Sequence, residues 1–254
     1  RQSEIKADVV ISNPTKKVYQ IHQYTKDKEV YFFTNVHKFD DVKLNVTFPV
    51  EGKYPYVWNP ETGKRKPYHY QSKSNKLSIE LNPLESLLLV FEDEEPKENT
   101  PKSILNIEKS KIIDTKWEVT GTRLDNSVFT WNIDALIDFG KSEDETKNSF
   151  GGELIYKTTI DNNNQYSYID LGNTNGGVTT VYINGKKGGV NWYGKAKFSV
   201  KDFLKTGENQ IEIHYTTVLA NYCKSIDNPL TNRWTRAYKE KVAIGLEGPV
   251  KLIK

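Results

Sequence analysis

Apolar and polar residues alternate along much of this chain. In "DVKLNVTF" (Asp41–Phe48), Val42, Leu44, Val46 and Phe48 are apolar and their neighbours are polar. A period of two places those four side chains on one face of an extended strand and turns the others to water. "KLSIELN" repeats the rhythm with Leu77, Ile79 and Leu81. "VYQIHQYT" (Val18–Thr25) and "EVYFFTN" (Glu29–Asn35) are short, aromatic and β-branched, which suits strands. "SLLLVF" (Ser86–Phe91) is apolar on both faces and predicts a central, doubly covered strand. The rhythm resumes in "ELIYKTTI", "QYSYIDLG", "GVTTVYING", "KKGGVNWY", "KAKFSV", "NQIEIHYTTVL" and "GPVKLIK". "KIIDTKWEVTGTRLD" reads as one further strand, and "DALIDFG" as a short helical turn. No long 3.6-residue apolar period occurs, so the predicted class is all-β.

The punctuation agrees. Turn signals recur roughly every 8–12 residues, the spacing of β-sandwiches. In "NPETGK" (Asn59–Lys64), Pro60 presets φ and Gly63 accepts positive φ. Asn184-Gly185 is the sequence of a type I′ hairpin turn, and Gly188-Gly189 just after it predicts a bulge or a close backbone approach. "SVKDFLKTGEN" (Ser199–Asn209) predicts a brief turn starting near Ser199 and stopping at Gly207. One segment breaks the pattern: "EDEEPKENTPKS" (Glu92–Ser103) is acidic, carries two prolines and has almost nothing to bury. The expected organisation is therefore a β-sandwich at residues 1–95, a linker at 96–103, and a second sandwich at 104–254.

Composition narrows the function classes. Of 254 residues, 36 are Lys or Arg and 33 are Asp or Glu, a net charge of +3. The basic residues are scattered, so no stripe exists to neutralise phosphates and nucleic acid is not an expected partner. No apolar run is long enough to span a bilayer. The single cysteine, Cys223, has no intrachain partner and reads as a small apolar residue. The sequence contains no Met and opens at Arg1 without a leader, which reads as a processed product or a fragment.

Several chemical motifs fail on inspection. Gly189–Lys195 fits the Walker A spacing up to the lysine, but Ala196 stands where Ser or Thr must hold magnesium, and no helix follows. "DNNNQY" (Asp161–Tyr166) opens like a calcium loop but lacks the glycine at its sixth position. His22, His37, His69 and His214 form no zinc motif; His22 and His214 read as partly buried sheet residues. No metal site, no cofactor and no catalytic residue is expected. Fifteen Tyr and five Trp remain, and aromatic rings suit the C–H faces of sugars. Asn191, Trp192 and Tyr193 end one strand, Asn221 and Tyr222 follow another, and Trp234 and Arg236 lie in "NRWTR" of a long pre-terminal loop. These seven are the candidate glycan contacts, on the expectation that their loops converge at one rim. The alternative for Trp192 and Trp234 is packing at an interface with another part of the protein. Trp58, Trp117 and Trp131 read as core or turn packing.

"TVYINGKKGGVNWYGKAKFSVKDFLKTGENQIEIHYTTVLANY" resembles the galactose-binding-like jelly roll, the sugar-binding domain type of family 2 glycoside hydrolases. "IHQYTKDKEVYFFTN", "WNPETGK" and "LNPLESLLLVFED" resemble the β-domain that follows the catalytic barrel in family 106 enzymes, the α-L-rhamnosidase type. "KWEVTG", "FGGELIYKTTI" and "GLEGPVKL" are similar to the C-terminal jelly roll of the same enzymes. The resemblance implies non-catalytic modules of a glycoside hydrolase acting on plant or bacterial polysaccharide. It implies an N-terminal catalytic barrel as partner, possible contact with carbohydrate, and a secreted or periplasmic location. The alternative is a stand-alone carbohydrate-binding or cell-surface interaction sandwich without hydrolase activity.

Overall fold

A computed structural model of the chain describes residues 7–70, 75–97, 110–163, 165–226, 228–235 and 240–254. The chain divides into two compact units, Arg1–Ile104 and Leu105–Lys254. The acidic segment expected to link them lies, from residue 98 onward, outside the described residues. Both units are built from antiparallel sheets, so the all-β expectation holds.

In the first unit, β1 (Val10–Ile11), β4 (Val42–Thr47) and β7 (Lys76–Leu81) form a three-stranded sheet in the order β1-β4-β7. The second sheet runs β2-β3-β8-β5-β6, from β2 (Val18–Tyr24), β3 (Glu29–Asn35), β5 (Tyr54–Trp58), β6 (Arg65–Pro67) and β8 (Ser86–Glu92). The doubly apolar "SLLLVF" run is the middle strand of five, as its composition required. Inward-facing Tyr31, Phe33, Leu89 and Phe91 pack against Val42, Leu44, Val46, Leu77, Ile79 and Leu81. Each such aliphatic or aromatic side chain contributes about 1.5–3 kcal/mol by leaving water. Phe48 sits edge-on to Tyr31 at 4.8 Å and lies 5.0 Å from Phe91. The "NPETGK" turn closes as expected. The Asn59 carbonyl accepts from Gly63 N–H at 2.9 Å, and Gly63 has φ +66°. Trp58 sends its indole N–H to the Glu92 carboxylate at 2.7 Å, a turn-packing role.

The second unit faces a six-stranded sheet with a four-stranded one. The larger runs β11-β10-β12-β17-β14-β15, made of β10 (Trp117–Arg123), β11 (Val128–Ile133), β12 (Gly152–Asn162), β14 (Val178–Ile183), β15 (Lys186–Asn191) and β17 (Gly207–Thr216). The smaller runs β16-β13-β18-β9, made of β9 (Ser110–Ile112), β13 (Tyr168–Asp170), β16 (Lys197–Ser199) and β18 (Lys251–Ile253). Trp117, Leu154, Tyr156, Val181, Ile211 and Tyr215 from one sheet meet Ile169, Phe198 and Leu252 from the other in a single buried core. The β14–β15 hairpin turns on Asn184 (φ +51°) and Gly185 (φ +77°). The register then skips Gly188, because Tyr182 faces Lys187 and Val181 faces Gly189. A Cβ on Gly189 would lie 2.9 Å from the Phe198 ring, so bulge and close approach both occur.

Two expectations differ from the structure. "KIIDTKWEVTGTRLD" is not one strand. The Ile113 N–H bonds to Val250 O in the small sheet, and the chain then crosses to begin β10 in the large one. Ile113 and Trp117 both enter the core, which links the two layers. The long pre-terminal loop instead holds two short helices, α2 (Ala220–Ser225) and α3 (Pro229–Thr235), following α1 (Glu145–Asn148). Pro229 opens α3 at the position where a missing N–H removes nothing, and the Asn228 side chain accepts from Leu230 N–H at 2.9 Å.

Candidate glycan-contacting rim

Register fixes which loops share an end of the large sheet. Asn191 faces Thr179, Val178 faces Thr216, and Thr216 faces Glu153. The end of β15, the start of β14, the end of β17 and the start of β12 are therefore neighbours. The Trp192–Tyr193 turn and the entry to α2 leave this one end. Two strand spacings of about 4.8 Å separate their roots. Strand pairing thus puts the roots of the 191–193 and 221–222 segments at one end of the large sheet.

The side chains divide into different roles. Trp192 is 61% exposed, and its ring meets Tyr193 edge-on with centroids 4.6 Å apart. Asn191 turns its amide back on the loop, donating to Tyr193 O at 2.5 Å, which braces the turn. Asn221 is buried: its amide donates to Asn148 O at 3.1 Å and Val242 O at 2.8 Å, and its oxygen accepts from Val242 N–H at 2.8 Å. Those bonds tie three distant segments together. Tyr222 is half-buried and lies so close to Gly151 that a Cβ there would sit 2.5 Å from the Tyr222 Cβ. Trp234 falls in α3, and Arg236 lies outside the described residues.

The sequence pattern did not single out Val178, Val218 and Leu219, which are exposed apolar residues at this same end. Their signal was weak: isolated apolar residues at strand ends beside Gly177 and Thr217.

Charged groups near the sheet mostly have structural partners. The buried Asp138 carboxylate accepts from Gly140 N–H and Ile244 N–H, each at 2.8 Å. On the outer sheet face, His214 meets Glu153 at 3.2 Å and Glu212 at 2.6 Å. Burial pushes the Glu212 carboxyl up, but His214 and Lys157 outweigh it and hold it below its ordinary range. Among the described residues no cluster of three His, Cys, Asp or Glu could hold a metal ion. Among them, too, no helix is long and apolar enough to cross a membrane.

The α-L-rhamnosidase family, glycoside hydrolase family 106, matches residues 1–72. Over those residues the chain is similar to that family. That matched segment holds strands β1 to β6. The rhamnosidase of Novosphingobium sp. PP1Y shares the fold over 98% of this chain, with a TM-score of 0.77 and 22% identity, and this chain covers 25% of it. A curated Formosa agariphila protein with a provisional β-glucuronidase designation is 28% identical over 112 residues, 42% of this chain and 9% of its own length. A β-glucuronidase of Ruminococcus gnavus aligns over 57% of this chain and 29% of its own, at 14% identity and a TM-score of 0.42. The chain thus spans about a quarter of the Novosphingobium enzyme and under a tenth of the Formosa protein.

Proposed function

We propose that this chain is a non-catalytic β-sandwich part of an α-L-rhamnosidase-like hydrolase acting on plant or bacterial polysaccharide, outside the cytoplasm. Its sandwiches brace the catalytic barrel, and the Trp192 rim contacts glycan. The observation that carries the glycan reading is the geometry of Trp192: an indole facing water, held edge-on by Tyr193 in a turn closed by the Asn191 amide. Leaving a large ring in water forgoes the few kcal/mol that its burial would supply. A pyranose recovers that area by laying its C–H face on the ring, and the braced turn keeps the ordering entropy small.

Calorimetric titration with rhamno-oligosaccharides tests this. The chain binds with a Kd between roughly micromolar and millimolar, and Trp192→Ala weakens binding at least about tenfold, about 1.4 kcal/mol. Equal binding by both proteins refutes the rim as a glycan contact. Exposed Val178, Val218 and Leu219 beside Trp192 favour a second reading, in which the rim seats against the rest of the enzyme. Hydrogen exchange discriminates the two: slower exchange at Asn191–Tyr193 within a longer enzyme, without sugar, favours the seat.

A further inference from the structure

The first unit holds a cavity of about 570 Å³ beside the start of β5. Its volume falls within the roughly 300–1,000 Å³ range of small-molecule sites. Phe91, on the core face of β8 and almost fully buried, contributes an apolar wall. Tyr54 and Tyr70 also line it, their ring centroids 5.9 Å apart and their planes at 64°. Glu51, Asn75 and Glu95 supply polar groups. The lining ammonium, Lys53, is engaged by Asp93 at 2.7 Å and by the Asp27 carbonyl. Burial, and then the Glu95 carboxylate, raise the Tyr54 phenol above its ordinary range; burial and Glu95 act in the same order on Tyr70.

We infer that this cavity is a second saccharide site, and that it takes a neutral pyranoside. The inference rests on the reading of the chain as part of a carbohydrate-processing enzyme, but not on the Trp192 rim. Two phenol rings in a tilted pair, with Phe91 in the same lining, supply the apolar surface that the C–H groups of a pyranose pack on. Carboxylates are acceptors only, and sugar hydroxyls are donors; Glu51 and Glu95 therefore suit a ligand rich in hydroxyls. The same two carboxylates repel a uronate, and the lining ammonium, Lys53, is already committed to Asp93. The site therefore discriminates by charge, accepting neutral sugars and rejecting acidic ones. Its lining comes from the β4–β5 connection, β5, β8 and the residues flanking β6 and β7.

The test uses the full chain with methyl α-L-rhamnopyranoside and methyl β-D-galactopyranoside as neutral probes and galacturonic acid as the acidic one. Saturation-transfer NMR reads contact, and calorimetry reads affinity. The expected result is binding of at least one neutral probe and none of the acid. Tyr70→Ala weakens the neutral probe at least tenfold, and the double variant Glu51→Gln, Glu95→Gln admits galacturonic acid. These two carboxylates lie outside the core, so the double variant keeps the test alive if Tyr70→Ala fails to fold, as near-ultraviolet dichroism would show. Failure of every probe to bind overturns the inference. Neutral binding lost in Trp192→Ala but kept in Tyr70→Ala also overturns it, and leaves the rim reading standing. Loss in Tyr70→Ala with Trp192→Ala unchanged does the reverse.

Discussion

Asn221 offers the sharpest perturbation of the second unit. Its amide joins α2 to Asn148 at the end of α1 and to both backbone groups of Val242. Asn221→Ala removes three hydrogen bonds and leaves Asn148 O, Val242 N–H and Val242 O without that partner. A hydrogen bond contributes about 1 kcal/mol net, and a buried group left unpaired costs about 1–3 kcal/mol. Three bonds therefore amount to about 3 kcal/mol, reduced where water reaches Val242. In a unit of this size, about 1 kcal/mol moves Tm by roughly 2–4 °C, so the expected drop is about 6–12 °C. Scanning calorimetry resolves it in the transition of the second unit. Asn221→Asp keeps an acceptor for Val242 N–H but turns a carboxylate towards two carbonyls. Its defect is at least as large at neutral pH and shrinks as the carboxyl protonates. A Tm shift below about 2 °C for Asn221→Ala, together with lost saccharide binding, would refute the bracing role and give Asn221 to the ligand.

Other consequences follow from packing and ionisation. Gly177→Ala places a Cβ 2.2 Å from the buried Tyr215 ring, so overpacking destabilises the second unit by about 1–3 kcal/mol in urea denaturation. A change below about 0.5 kcal/mol would show that the Tyr215 ring is free to retreat. Burial pushes the phenols of Tyr68 and Tyr215 up to about 12. In the unfolded chain both ionise near pH 10, so their contribution is fully present below that pH and is lost between about pH 10 and 12. Urea midpoints therefore fall with pH across that window, and Tyr215→Phe flattens the fall; an unchanged slope in the variant contradicts the assignment.

The strands were legible because period-two alternation is a local property. Val42, Leu44, Val46 and Phe48 alternate in sequence and are all buried in the structure. The Asn184-Gly185 turn and the skipped Gly188 were legible for the same reason: positive φ and a bulge restrict residue type within a few positions. The helices α2 and α3 were not, since six or seven residues carry too little periodicity and Leu219 supplies no side-chain cap. Tertiary packing holds α2, through Tyr222 on Gly151 and Asn221 on Val242. Asn221 looked available for sugar because its partners lie 73 and 21 residues away. The cavity of the first unit was invisible for the same reason: Tyr54, Tyr70 and Phe91 meet only after three separate segments pair and pack.

In the proposed function, chemistry belongs to another part of the enzyme while this chain braces and binds. The most direct measurement is turnover of 4-nitrophenyl α-L-rhamnopyranoside by the purified chain, followed at 400 nm alongside a buffer blank. Release at the blank rate is expected at every pH tried. Saturable release above the blank, abolished by substitution of a single Asp or Glu of this chain, would contradict it.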